Sequence, residues 1–190
     1  MQYKIAVSGS AIDNCSPGAF KKAYEVGREI AKQRCVLVTG ATIGVPAWST
    51  RGAKSVGGIS IGLSPAVSRQ AHVHTYKLPT KYMDLIIYTG FDYSGRNMLM
   101  TRASDAVITI CGRIGTLNEF TTAFEEKRVV GVLTGTGGVE SGIEEILKLA
   151  KRGRKLVIFE SDPKKLVTNV IKKLKELDKQ KTASRKKEIN

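Results

Sequence analysis

Of 190 residues only three are cysteine, two histidine and one tryptophan, and acidic side chains number 17 against 31 lysines and arginines. Cys15, Cys35 and Cys111 are odd in number, widely spaced and without a CxxC pair, which argues against both a disulfide framework and a zinc ribbon. His72 and His74 could share a strand face, but no carboxylate or cysteine stands nearby to complete a site, so no metal is expected. No apolar run approaches the roughly 18 residues a membrane helix requires. The first residues go straight into a strand pattern, without the apolar region and small-residue cleavage site of a secretory signal, and a cytoplasmic protein is expected. A GxGxxG dinucleotide fingerprint is also missing.

The shortage of acids leaves a net charge of +14, half of it between Lys164 and Asn190. Residues 179–190 lack an apolar face and are expected to form a solvated basic tail, able to touch polyanions weakly. No recognition-helix, RNP-type or zinc-finger signature accompanies it, which disfavours a dedicated nucleic-acid surface. The remainder, 1–178, has the length and the ordinary hydrophobic share (42%) of a single domain with its own core.

Short apolar runs alternate with helical patterns along the whole chain. Strands are expected at Tyr3 to Val7, Cys35 to Val38, Ile59 to Leu63, Leu85 to Thr89, Ala106 to Ile110, Val129 to Leu133 and Lys155 to Phe159. Between them lie helices from Pro17, capped by Ser16, through about residue 33, then Ala47 to Ser55, Arg96 to Ala103, Leu117 to Glu126, Gly142 to Lys151 and Pro163 to Leu177. Strands apolar throughout, alternating with helices, imply a mainly parallel sheet covered on both faces, a three-layer Rossmann-like α/β fold. The stretch from Ser64 to Lys81 breaks the pattern, is longer than a typical connection and is a candidate for lining a site.

In such a sheet ligands sit beyond the C-terminal strand ends, where Ser8, Thr39, Thr89 and Cys111 to Thr116 would converge. The strand Ala106 to Ile110 runs into Cys111-Gly112-Arg113-Ile114-Gly115-Thr116 and then a helix that carries Glu119. Backbone N–H groups at that helix start can receive an anion, and the glycines allow close approach. Ser8, Gly9, Ser10, Thr39, Gly40, Gly112, Arg113, Ile114, Gly115 and Thr116 are therefore the expected phosphate-binding residues. Arg96 and Glu119 complete the set: an arginine grips phosphate or a ribose hydroxyl in a bidentate way, and a carboxylate stabilises an oxocarbenium-like state while orienting water. Cys111 is read as a small buried residue.

The order Gly95-Arg96-Asn97, then Gly112-Arg113-Ile114-Gly115-Thr116 and Glu119, resembles the Lonely Guy family of phosphoribohydrolases, once classed as lysine decarboxylases. The family's hallmark is an arginine-bearing helix followed by a PGGxGTxxE turn. The branch holding the molybdenum cofactor carrier proteins, whose turn reads more like GGxIGTxxE, is more similar still. The resemblance implies that Gly112, Gly115 and Thr116 hold a phosphate and that Arg96 and Glu119 flank an N-glycosidic bond as catalytic residues. It implies either hydrolysis of a nucleoside 5'-monophosphate to free base or carriage of a nucleotide or molybdopterin-like ligand without turnover. No further cofactor is implied, and a homodimer or tetramer is. Cys111 and Arg113 replace the family's proline and second glycine. If the position of Arg113 required a positive φ, the arginine would cost roughly 1–2 kcal/mol or force a different loop.

Overall fold

The computed structural model describes residues 2–12 and 15–189, with side chains placed up to residue 184. Seven strands form one parallel sheet: β1 (Lys4–Gly9), β2 (Val36–Thr39), β3 (Ser60–Ser64), β4 (Leu85–Tyr88), β5 (Ala106–Ile110), β6 (Val129–Leu133) and β7 (Val157–Glu160). Their order is β4-β3-β2-β1-β5-β6-β7. The chain winds outward from β1 in one direction, then crosses back to β5 and winds outward in the other. The point of reversal lies between β1 and β5, paired from Ile5 with Ala106 to Gly9 with Ile110. A reversal of this kind opens a crevice at the carboxyl ends of the two strands.

Among the described residues six α-helices cover the sheet: α1 (Ala19–Lys32), α2 (Val45–Lys54), α3 (Asp92–Ala103), α4 (Ile114–Glu125), α5 (Ile143–Leu149) and α6 (Pro163–Ile189). Because successive strand residues point to opposite faces, the core divides in two. Ile5, Val7, Ile108 and Ile110 pack with Val26 and Ile30 of α1, Val45 and Ala53 of α2, and Leu166 and Val170 of α6. Ala6 and Val107 face the other way, onto Met100 of α3, Phe120 and Ala123 of α4, and Ile143 and Leu147 of α5. The α/β architecture read from the alternating pattern is therefore the one observed, with all seven strands parallel.

Several boundaries differ from expectation for identifiable reasons. Ser16 does not cap α1; Gly18, at φ 82°, is the N-cap, and the Ser16 amide instead donates to the Thr136 carbonyl at 2.9 Å. The helix expected from Leu117 begins at Ile114, so the glycine turn after β5 becomes the first turn of α4. The helix expected from Arg96 begins at Asp92. The final helix, expected to stop near Leu177, continues to Ile189, so the stretch read as a basic tail extends α6; its side chains beyond 184 lie outside the described residues. None of the described helices is long and apolar enough to cross a membrane.

The cysteines require a correction. Cys15 and Cys111, 96 positions apart, form a disulfide with their Cα atoms 5.6 Å apart, and Cys35 is free and buried. Sequence spacing concealed this pair because the fold, not the local chain, brings the loop after β1 beside the end of β5. The expectation that Cys111 is buried is met, but its sulfur is bonded rather than inert packing. Titration of the unfolded, unreduced protein with a thiol reagent is expected to find one thiol per chain, rising to three after reduction; three before reduction would contradict the pairing.

Helices α1 and α2 approach closely through two glycines. A Cβ on Gly27 would run into the Ser49 carbonyl, and one on Gly52 into the Tyr24 carbonyl. Alanine favours a helix interior over glycine by about 1 kcal/mol, yet here it must force the helices apart. Gly27→Ala is therefore expected to lower the stability by about 1–3 kcal/mol, measured by urea unfolding; an unchanged or higher midpoint would contradict the packing.

Candidate functional site

At the reversal point three elements converge on one carboxylate. Ser8 alternates with Val7 and so shares the sheet face of Ala6, turned toward α3 and α4. On α4 the buried residues Thr116, Glu119, Phe120 and Ala123 follow the i, i+3, i+4, i+7 rhythm of an inward stripe. On α3 the buried set is Arg96, Asn97, Met100 and Thr101. The three faces meet where Arg96 Nη1 donates to Glu119 Oε1 at 2.8 Å and the Ser8 hydroxyl donates to Glu119 Oε2. Both ion-pair partners are about 5% exposed.

Burial pushes the Glu119 carboxyl above its ordinary value of 4.5, while the charge of Arg96 and the hydrogen bonds from Ser8 and Arg96 oppose that shift. The guanidinium is confined as well. Gly40, at the end of β2, supplies the room: a Cβ there would stand 2.5 to 2.8 Å from its nitrogens and central carbon. Arg96 Nη1 also contacts Met100 Sδ at 3.7 Å, whereas its buried Nε has no hydrogen-bond partner among the described residues. A buried donor left without an acceptor is costly, and a site that receives a polar ligand is one setting in which such a group persists.

The turn between β5 and α4 places its positive φ values ahead of the arginine. Positive φ falls on Cys111 (53°) and Gly112 (100°), while Arg113 is extended at φ −131° and serves as the α4 N-cap. The strain considered for an arginine at this position therefore does not arise. A side chain on Gly112 would collide with Thr116, so this glycine is required both by its φ and by space. Behind the turn, the Cys111 amide donates to Thr136 Oγ1 at 2.8 Å, and Glu140 accepts from the amides of Thr136 and Gly137 at 3.0 and 3.1 Å. The amides of Ile114, Gly115 and Thr116 sit at the start of a 12-residue helix, where backbone donors lack intrahelical acceptors and the helix dipole favours an anion.

A cavity of about 690 Å³ opens over this arrangement. Of the residues expected to bind phosphate, Gly9, Ser10, Arg113, Ile114, Gly115 and Thr116 line it, as do Arg96 and Glu119. Ser8, Gly40 and Gly112 lie behind that lining: Ser8 bonds Glu119, Gly40 accommodates Arg96 and Gly112 underlies Thr116. Thr39 is buried, its hydroxyl accepting from the Ala41 amide at 3.4 Å, and Thr89 is turned to the Ser64 carbonyl at 2.7 Å. Neither is among the lining residues. The lining residues not anticipated one by one are Ala11, Thr42, Ile43, Tyr76, Lys77, Leu78, Tyr93 and Asn97. The irregular length of the β3–β4 connection did signal Tyr76 to Leu78, and Asn97 is adjacent to Arg96. Asn97 Nδ2 donates to Asn118 Oδ1 at 3.2 Å and to the Gly115 carbonyl at 3.5 Å, tying α3 to the turn. Among the described residues no three His, Cys, Asp or Glu side chains gather in a metal-binding group; His72 is buried in the β3–β4 connection.

The parallel order, the reversal point and the crevice above it define a Rossmann-like protein with its candidate site at the carboxyl strand ends. The chain belongs to the SLOG cluster4 family, whose model matches residues 2–184. It is 32% identical over 130 residues to an uncharacterized protein of Archaeoglobus fulgidus, an alignment covering 68% of this chain and 79% of the relative. The structural-genomics target TM1055 shares the fold with a TM-score of 0.76 at 27% identity, over 91% of this chain and 99% of that one. The molybdenum cofactor binding protein of Rippkaea orientalis gives 0.76 at 27%, over 92% and 98%.

Removing one partner of a buried ion pair typically costs about 3–5 kcal/mol because the other charge is stranded. Arg96→Ala is expected to lose that much in urea unfolding near neutral pH, and Glu119→Gln in the same chain to recover part of it. Because burial raises Glu119, its protonation favours the folded state; that contribution is present at low pH and is lost as pH rises through the folded-state value. The Arg96→Ala deficit should therefore shrink on acidification. A deficit independent of pH and unrelieved by Glu119→Gln would show that the pair is not the cause.

Proposed function

We propose that this chain binds a nucleoside 5'-monophosphate or a close phosphorylated relative in the cavity above β1 and β5, and hydrolyses its N-glycosidic bond. The single observation that carries this reading is the buried Ser8–Glu119–Arg96 chain beside the α4 N-terminus: a fixed carboxylate next to a fixed anion cradle. The phosphate would lie on the Ile114 to Thr116 amides with Arg113 at the rim, and the sugar over Glu119. Water then adds to the anomeric carbon as the bond to the base nitrogen breaks; the departing electron pair leaves with the base, which takes up a proton. Each Glu119 oxygen accepts one donor, which leaves a lone pair for water or a ribose hydroxyl. The carboxylate stabilises the oxocarbenium-like state, and Arg96 holds it in place.

A second reading, carriage of a molybdopterin-like ligand without turnover, draws support from the likeness to the Rippkaea orientalis protein. No additional cofactor is required by either reading. A homodimer or tetramer fits the exposed apolar side chains on the β4 edge and α3, Leu85, Ile87, Phe91 and Met98. Weak contact with nucleic acid through the basic end of α6 is the remaining partner proposal.

Incubation with a panel of nucleoside monophosphates, following free base and ribose 5-phosphate by chromatography, tests the enzyme reading. Release is expected from wild type and a loss of 100-fold or more in Glu119→Gln, in keeping with the contribution of general acid–base groups. Its acid limb is expected above the ordinary glutamate value of 4.5, since the working form is the carboxylate. Saturable binding without release would favour the carrier.

A further inference from the structure

We propose that the connection between β3 and β4 gives the cavity a second, aromatic subsite, in which Tyr76 and Tyr93 receive the planar heterocycle of a phosphorylated ligand. The inference rests on the reading above for the phosphate end and adds what must lie at the other end. Placement in the one cavity supplies the argument. The anion cradle follows β5, Tyr76 lies in the connection that follows β3, and both line the same cavity. Its volume of about 690 Å³ is more than a phosphate or a pentose phosphate fills. Glu119, bonded to Ser8 of β1, stands between, where the bond joining sugar and heterocycle would fall.

The far end is built as a wall. His72 is fully buried, with Nδ1 2.8 Å from the Ser64 hydroxyl and Nε2 3.0 Å from the Pro79 carbonyl, so the ring pins the connection to the end of β3. The carbonyl can only accept, so Nε2 is the donor in that bond. The Leu78 amide closes back on the His72 carbonyl at 3.0 Å. Tyr76 is fixed by donation of its phenol to Asp92 Oδ1, a bond that raises the phenol above its ordinary value and keeps the proton on it.

The two rings meet edge to face, with centroids 5.8 Å apart and planes at 70°. Such a corner presents the face of one ring and the edge of the other, a geometry suited to a flat aromatic ligand. Leu78 and Ile43 add apolar lining, and nothing in the proposed hydrolysis uses any of these side chains. The shared chemistry is a planar heterocycle carrying a phosphate; a nucleotide and a phosphorylated pterin are its two sources.

Calorimetric titration of the full chain with adenosine 5'-monophosphate, a pterin monophosphate and ribose 5-phosphate tests this subsite. Truncating an aromatic that stacks on a base typically weakens binding by about 5- to 150-fold. Tyr76→Ala and, separately, the more exposed Tyr93→Ala are expected to weaken the better of the two heterocyclic ligands within that range, while ribose 5-phosphate stays within about twofold of wild type. Tyr76→Phe keeps the ring and is expected to lose less than Tyr76→Ala. Which heterocyclic ligand is tighter in wild type identifies the source. If ribose 5-phosphate binds but neither alanine variant separates it from the heterocyclic ligands, the aromatic subsite is overturned and the phosphate reading stands. If wild type binds none of the three, both fall. Should Tyr76→Ala fail to fold, Tyr93→Ala decides alone.

Discussion

Everything at the crevice depends on holding the Glu119 carboxyl group out of water beside Arg96. Removing a charge of this kind from solvent costs several kcal/mol unless a partner and hydrogen bonds replace the water. Here the replacement comes from two other elements, Arg96 from α3 and Ser8 from β1. That requirement sets the neighbourhood: α4 and α3 must share the same sheet face, β2 must be followed by a residue without a side chain, Gly40, and β1 must present a hydroxyl at its last inward position. An apolar replacement of the pair would have packed with less demand on its surroundings. Its presence beside a cavity and a helix N-terminus is why a ligand reading is preferred to a purely structural one.

The disulfide acts on the same place. It joins the loop after β1 to the first residue after β5, so the two sides of the reversal point are linked by backbone pairing, by the Ser8–Glu119 bond and by sulfur. Lines of support also run outward from the turn through Thr136 to Glu140. The turn is thus held in place before any ligand arrives, which would lower the ordering cost of the proposed binding. Disulfides persist in oxidising compartments and in intracellular proteins of hyperthermophiles, and the Cys15–Cys111 pair fits either setting.

Much of the fold was legible because each strand announces itself as a short apolar run and each helix as an inward stripe. Glu119 was legible too, as a carboxylate in the first turns of a helix that follows a glycine-bearing turn. What lay beyond reach depended on neighbours distant in the chain. Gly40 and Arg96, 56 positions apart, explain one another only in space. Ser8 and Thr39 look alike as hydroxyls at strand ends, yet one bonds Glu119 and the other turns back to its own loop. The arginine in the turn looked like a source of strain because the family pattern put glycine there; in this chain the positive φ falls on Cys111 and Gly112, and the arginine is extended. Ser16 stands two residues before the α1 N-cap, Gly18, and its amide bonds to the β6–α5 loop.

A crystal structure of the protein grown with adenosine 5'-monophosphate, or with its product ribose 5-phosphate if turnover occurs, would examine the cradle itself. The phosphate should lie within hydrogen-bond distance of the Ile114, Gly115 and Thr116 amides, with the sugar against Glu119. A phosphate bound at saturating concentration elsewhere on the chain, with that helix start facing only water, would contradict the site.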